Sequence, residues 1–74
     1  MKPFTNREAS IYFFALRYAL RRETGALAFV ASEIAVNWAR FSDRDKQDII
    51  SETKADSHGF NADDVAKILA LETK

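Results

Sequence analysis

Large apolar residues recur along this chain at the spacing of a helix, three or four residues apart. Strict alternation of apolar and polar residues never persists over four to eight positions, so the pattern predicts helices and disfavours strands. The clearest stripe lies between residues 27 and 41, where it predicts a helix with one buried face. Its members are Leu27, Val30, Ile34, Trp38 and Phe41.

Start and stop signals place the first two predicted helices. Thr5 with Glu8 three residues later matches a capping box, which predicts that the first helix covers residues 6–23. Gly25 is expected to end that helix in a left-handed conformation. The second helix is predicted over residues 26–40, because no proline or glycine interrupts that stretch.

Two further helices are predicted in the second half of the chain. Each follows a polar residue that can cap its first turn, with an aspartate three residues later. Gly59 is expected to end the earlier of the two. The start signals are Ser42 with Asp45 and Asn61 with Asp64, for helices over residues 43–56 and 62–72.

The predicted fold is all-α, a bundle of three to four helices in a single domain over residues 1–74. Short linkers make consecutive helices neighbours. The third helix has only two large apolar residues, Ile49 and Ile50, so the last two helices are expected to form a thinner cover over the first two. The other predicted core residues are Ala9, Tyr12, Phe13, Leu16, Ala19, Leu20, Val65, Ile68, Leu69 and Leu71.

The first helix carries a second apolar stripe, in which Ile11, Phe14 and Tyr18 follow the spacing i, i+3, i+7 among arginines. Aromatic residues flanked by arginine are typical of the energetic centres of protein interfaces. Two interpretations remain open: the stripe is exposed and binds a partner, or the third or fourth helix covers it. Under the first, the contact residues are Arg7, Phe14, Arg17, Tyr18, Arg21 and Arg22.

The same two interpretations, exposed and binding a partner or covered by another helix, apply to Phe29 and Val36 of the second helix. If both stripes are exposed, the chain presents an apolar surface of a kind that monomers rarely leave open. Self-association through a symmetric patch is then expected, so a homo-oligomer is one prediction of the sequence.

Charge is balanced over the whole chain but not along it. Eleven basic residues stand against eleven acidic ones, which argues against a globally basic nucleic-acid binder. Residues 1–42 hold six basic and three acidic residues, whereas residues 43–74 hold five and eight. The arginines of the first helix keep nucleic-acid binding open as the alternative function, with Arg7, Arg17, Arg21 and Arg22 as its contacts.

Catalytic and metal-binding motifs are weak. Asp56, Ser57 and His58 are consecutive, and consecutive residues cannot form a hydrolase triad, whose members converge from separate segments. The chain has one histidine and no cysteine. A calcium loop beginning at Asp43 would need a glycine and a glutamate at positions where the chain has an aspartate and a lysine. We therefore expect a non-enzymatic protein without cofactor or metal.

The chain shows no targeting or membrane-spanning pattern. Its beginning lacks the apolar region and small-residue cleavage site of a signal peptide. The longest stretches without a formal charge, residues 9–16 and 24–32, are far shorter than a bilayer crossing requires. The cytoplasm, and no membrane, is the expected location.

Residues 11–52 contain a sequence arrangement that resembles one in other small proteins. The stretch Phe14-Ala15-Leu16-Arg17-Tyr18-Ala19-Leu20-Arg21-Arg22 is followed by a helix with an Asn37-Trp38 pair and by a serine-started helix at Ser42-Asp43-Arg44. This arrangement resembles small bacteriophage and prophage proteins, which usually have glycine where Arg21 stands. The resemblance implies a phage-encoded accessory protein that binds a host enzyme or a bacterial defence complex stoichiometrically and inhibits it in the host cytoplasm.

Overall fold

Four helices and three short 3-10 turns are present in the computed structural model, which describes residues 2–74. That part of the chain contains no strand, and none of its helices is both long and apolar enough to span a bilayer. The prediction of an all-α bundle is confirmed. The helices are α1 (Asn6–Leu20), α2 (Ala26–Val36), α3 (Asp43–Asp56) and α4 (Ala62–Leu69).

The helices form a ring in which each packs against two others. α1 packs against α2 and α3, and α4 closes the ring by packing against the same two helices. The prediction that consecutive helices are neighbours is therefore wrong for α2 and α3, which lie across the ring from each other. α3 contributes Ile49, Ile50 and the fully buried Thr53 to the interior, while α4 contributes Val65 and Ile68. α3 and α4 therefore form two of the four walls around the core, although they supply fewer of the buried apolar side chains than α1 and α2, as the sequence predicts.

The core consists mainly of the residues that the helical period predicts. Every member of the stripe predicted between residues 27 and 41 is buried. On α1 the prediction is confirmed except at Tyr12 and Phe13, which are half-buried and pack against the core from its edge. Leu69 does the same on α4. The buried apolar residues are Ala9, Leu16, Ala19, Leu20, Leu27, Val30, Ala31, Ile34, Trp38, Phe41, Ile49, Ile50, Val65, Ile68 and Leu71.

Two helices begin with the side-chain caps that the sequence predicts. The backbone N–H of Glu8 donates to Thr5 Oγ1 (3.2 Å), and the backbone N–H of Thr5 donates to Glu8 Oε1 (2.9 Å). The hydrogen bond from the Thr5 backbone holds the pKa of the Glu8 carboxyl below its usual range, because it favours the ionised form. At the start of α3, the backbone N–H of Asp45 donates to Ser42 Oγ (3.1 Å).

α1 ends at Leu20, three residues earlier than predicted. The N–H groups of the next two residues donate to carbonyls three positions back, each at 3.3 Å, which tightens the last turn. Asn61 Nδ2 then donates to the carbonyl oxygens of Ala19 (3.3 Å) and Arg22 (3.1 Å). The buried amide of Asn61 thus binds carbonyls that a longer helix would have used internally.

Neither glycine takes the predicted left-handed conformation. Gly25 has φ −74° and directly precedes α2, and no glycine within residues 2–74 has a positive φ. α3 ends at Asp56 because Ser57 becomes extended, and Gly59 opens a 3-10 turn instead. The predictions that glycine ends these two helices are therefore wrong.

α2 ends at Val36 rather than at residue 40. Asn37 Nδ2 donates to the Glu33 carbonyl (2.8 Å) and to the Tyr12 hydroxyl (3.2 Å), and the chain continues as the 3-10 turn Trp38–Arg40. This turn holds an aromatic cluster over one end of the bundle, with neighbouring ring centroids 5.0 to 6.2 Å apart. Its members are Phe4, Tyr12, Trp38 and Phe41.

α4 begins without the predicted asparagine cap, because the Asn61 side chain is turned toward the end of α1. Asp63 and Asp64 place negative charge in the first turn, where it offsets the positive end of the helix dipole. The predicted helix over residues 62–72 is α-helical only as far as Leu69, and it continues as a 3-10 turn that buries Leu71.

Candidate functional site

Five large apolar side chains are exposed on the outer sides of α1 and α2, with exposed fractions from 58% to 73%. Neither α3 nor α4 covers them. Of the two interpretations that the sequence left open, the structure therefore shows the one in which the stripes are exposed. We call this surface the α1–α2 apolar face. Its members are Ile11, Phe14, Tyr18, Phe29 and Val36.

The helical period that fills the core also places this face outside. Leu16 and Leu20 each lie two residues from Tyr18, and two residues turn a helix by about 200°. Both leucines are fully buried, so Tyr18 points away from the core. On α2, Phe29 and Val36 are seven residues apart and therefore share the exposed side of that helix.

A shallow apolar groove joins the two stripes. It has a volume of about 290 Å³ and lies between α1 and α2. Ile11 lines it from α1 and Phe29 lines it from α2, so the two stripes meet at these two side chains. The complete lining is Ile11, Tyr12, Ala15, Phe29, Val30 and Glu33.

Two of the predicted contact arginines are paired with α3. Arg17 Nε donates to Glu52 Oε1 (3.0 Å), and Arg21 Nη2 lies 2.8 Å from Asp56 Oδ2. The arginines are four residues apart, one near the end of α1 and one directly after it, and the carboxylates are four apart on α3, so the two pairs form a ladder between neighbouring helices. These surface ion pairs link α1 to α3 and occupy both guanidinium groups, which are therefore less available to a partner.

The Arg17–Glu52 pair is expected to stabilise the fold only slightly. In a double-mutant cycle with Arg17→Ala and Glu52→Ala, the coupling energy should be about 0.2–1 kcal/mol, because side-chain exposures of 45% and 27% leave the pair in contact with water. Urea unfolding measures the coupling, which should shrink in about 1 M NaCl. A coupling above about 2 kcal/mol at high salt would contradict this solvated description.

The other two predicted arginines remain free of carboxylates. Within residues 2–74, neither Arg7 nor Arg22 has an acidic group within ion-pair distance. The guanidinium carbon of Arg22 lies 5.0 Å from the ring centroid of Tyr18, in a cation–π contact. Arg7 precedes Phe14 by seven residues and shares its side of α1. Both cations therefore lie at the ends of the exposed stripe.

Asp56 and His58 each contact a different neighbour rather than each other. His58 is exposed, and its ring stacks on Phe60 with 5.3 Å between centroids and 2° between planes. Asp56 faces Arg21 instead of the histidine. Within residues 2–74, no three His, Cys, Asp or Glu side chains lie close enough to hold a metal ion.

A second groove, also of about 290 Å³, lies beside Trp38. Lys46 and Lys74 line it together with Asp43 and Glu72, so its charges are of both signs. The indole N–H of Trp38 is buried and has no hydrogen-bond acceptor among the described residues. Because that donor is covered by protein, a molecule in the groove has no access to it, and we assign no ligand there.

No protein-family model, curated protein or solved structure matches this chain. Its function is therefore inferred from its own surface, and the α1–α2 apolar face is the feature that an isolated bundle does not explain. Burial of these side chains would stabilise a complex, whereas their exposure to water contributes nothing to the fold.

Proposed function

We propose that this protein is a non-enzymatic binding module that acts by stoichiometric contact with another protein through the α1–α2 apolar face. The observation that carries the proposal is the exposure of three aromatic side chains, Phe14, Tyr18 and Phe29, on the outer sides of two adjacent helices of a 74-residue chain. Large exposed apolar patches with a polar rim mark protein interaction sites. Aromatic residues and arginine are enriched at the centres of such interfaces.

The shape of the face favours a helix as the bound element. Ile11 and Phe29 flank a shallow groove between α1 and α2, and an amphipathic helix can place apolar side chains into such a groove. The resemblance of residues 11–52 to small phage proteins adds the expectation that the partner is a host or bacterial protein and that binding inhibits an enzyme or a defence complex in the cytoplasm. Phe14 and Tyr18 both lie within those residues.

Nucleic-acid binding through α1 has less support. Contacts to phosphate require cations that are not already neutralised. Arg17 and Arg21 are occupied by carboxylates of α3, which leaves Arg7 and Arg22 as the free cations on that side of α1. The face between them is apolar and aromatic, which fits protein better than a phosphate backbone.

Replacing Phe14 with alanine is expected to weaken binding without unfolding the protein. Its side chain is 71% exposed, so the free energy of unfolding should change by less than about 0.5 kcal/mol. As a central aromatic contact, its loss should raise the dissociation constant about 10- to 30-fold. The measurement is capture of proteins from a bacterial lysate by the immobilised chain, followed by titration of the captured partner.

Phe60→Ala provides the matched control, because Phe60 is also an exposed aromatic residue but lies in the turn before α4. The control should capture the same partner as the unaltered chain. If Phe14→Ala captures it equally well, the partner uses another surface. If Phe14→Ala unfolds the chain, Phe14 belongs to the core and the proposed face is wrong.

A further inference from the structure

The segment after Asn61 is held to the rest of the bundle by few contacts. We call residues 62–73, which comprise α4 and the 3-10 turn that follows it, the α4 strap. Its buried side chains are Val65, Ile68 and Leu71. Within residues 2–74, its one side-chain polar contact with another helix is that of Glu72 Oε2, which lies 3.6 Å from Lys54 Nζ. Both of these side chains are more than half exposed, and an ion pair so solvated contributes little to stability.

The other three helices share closer interactions that do not involve the strap. α1 and α3 are linked by the two ion pairs of the ladder, at 3.0 and 2.8 Å. The end of α2 is joined to α1 by the hydrogen bond from Asn37 Nδ2 to the Tyr12 hydroxyl (3.2 Å). The aromatic cluster at that end of the bundle is built wholly from residues 4–41. α1, α2 and α3 would therefore keep these contacts without the strap.

Open grooves border the strap on the two sides where it packs. A groove of about 320 Å³ lies between it and α2, where alanines and Ser32 form the α2 wall. The groove of about 290 Å³ beside Trp38 lies between it and α3. Leu71 lines both grooves, so solvent comes close to this side chain from two directions. Side chains next to open space make fewer van der Waals contacts than those in a close-packed core.

A short exposed segment with the properties of a hinge joins the strap to α3. Residues 57–60 are exposed, and the backbone at Ser57 and His58 is extended. Gly59 is surrounded by open space. Asn61 then acts as a latch, because its buried amide donates to the carbonyl oxygens of two residues at the end of α1 (3.3 and 3.1 Å). A few loop residues that absorb a change in backbone angles are sufficient for a hinge.

We infer that the α4 strap opens as a unit about residues 57–60 while α1, α2 and α3 stay folded, and that it thereby controls the exposure of the apolar surface it covers on α2 and α3. Opening breaks the Asn61 latch and withdraws the three buried side chains of the strap. Segments with few buried contacts open at a lower free energy than the whole domain. The inference is independent of the proposed function, because no member of the α1–α2 apolar face lines either groove beside the strap.

Trp38 lies where this opening would be felt. It lines the groove beside α3 together with Ile50 and Leu71. Its indole N–H is buried and has no acceptor among the described residues, and an unpaired buried donor raises the free energy of the closed state. Withdrawal of Leu71 would bring water next to the indole. A hydrogen bond to that water would offset part of the apolar burial that opening loses.

Hydrogen exchange of single backbone amides in the full chain, followed by nuclear magnetic resonance at increasing urea concentration, tests the inference. The amides within α4 should be protected at least about 100-fold less than the slowest amides of α1, α2 and α3. Their protection should also fall less steeply with urea, because opening of the strap exposes only part of the surface that global unfolding exposes.

Two variants separate opening of the strap from global unfolding. Thr5→Ala removes the cap of α1, a helix that does not border α4 in the ring. It should accelerate exchange of the slowest amides of α1, α2 and α3 about 2- to 30-fold and leave α4 unchanged, because the cap is lost equally from the closed and the open state. Ile68→Val, the matched change inside the strap, should accelerate the α4 amides about 2- to 12-fold. Circular dichroism of both variants verifies that the helices are retained.

Three results would overturn the inference. If the α4 amides are as protected as the slowest amides elsewhere and respond as steeply to urea, the bundle opens only as a whole. If Thr5→Ala accelerates the α4 amides as much as the others, the opening includes α1. If Ile68→Val leaves the α4 amides unchanged, α4 frays in place without leaving α2 and α3. None of these measurements involves a partner, so their outcome leaves the proposed function to its own test.

Discussion

Trp38→Ala is expected to lower the free energy of unfolding by about 3–5 kcal/mol. The indole is 7% exposed and packs against Phe41 with 6.2 Å between ring centroids, at the turn that joins α2 to α3. Truncation removes buried apolar surface and leaves a cavity that the short, internally hydrogen-bonded turn can only partly fill. A loss of this size is a large share of the roughly 5–15 kcal/mol that stabilises a typical domain.

The measurement is urea unfolding followed by far-ultraviolet circular dichroism, because the replacement removes the single tryptophan and its fluorescence. Trp38→Phe should cost less than Trp38→Ala: it keeps a ring, and the lost indole N–H has no acceptor within the described chain. Phe29→Ala, at a side chain 69% exposed, should stay within about 0.5 kcal/mol. If Trp38→Ala lowered the free energy of unfolding by less than about 1 kcal/mol, the aromatic cluster would not be part of the core that unfolds cooperatively.

Features that depend on a few neighbouring residues could be predicted from the sequence. The caps at Thr5 and Ser42 act within three residues, and the structure has both. The predicted bounds of α3 are confirmed for the same reason, and so is the burial of Leu27, Val30 and Ile34, since the helical period is a local property. Trp38 and Phe41 are also buried, but they lie beyond the end of α2. The early end of α1 could not be predicted in this way, because Asn61 comes from a segment that only the folded chain brings near.

The candidate site could be predicted in part. The spacing of Phe14 and Tyr18 indicated a second stripe, but its exposure depends on where α3 and α4 pack, and no local pattern determines that. The prediction that Arg17 and Arg21 contact a partner stays a prediction, but in the structure both pair with carboxylates of α3. Opposite charges at the same four-residue spacing on α3 were a signal for this ladder, but the packing of α1 against α3 was needed to recognise it. The ladder also joins the basic first half of the chain to its acidic second half.

Asn61→Asp tests the contact that ends α1, and it is expected to destabilise the fold by about 3–5 kcal/mol at neutral pH, as an uncompensated buried charge does. Asn61 is 5% exposed, and its amide donates to the carbonyl oxygens of Ala19 and Arg22. An aspartate there would direct a carboxylate at those two oxygens and at the negative end of the α1 dipole. Both contacts would become repulsive.

The pH dependence separates this charge effect from simple loss of a hydrogen bond. In the folded variant, burial and the two carbonyls would raise the carboxyl pKa above its unfolded value of about 3.9. The folded state then binds the proton more tightly, so the variant should regain stability as the pH falls through the raised folded pKa, and lose it again as the pH rises. Asn61→Ala, the matched control, should lose about 1–3 kcal/mol without that dependence. Urea unfolding of both variants from neutral to acidic pH makes the comparison. If both variants lost the same free energy of unfolding at every pH, position 61 would not face the α1 carbonyls. A carboxylate held against those carbonyls must respond to its own protonation.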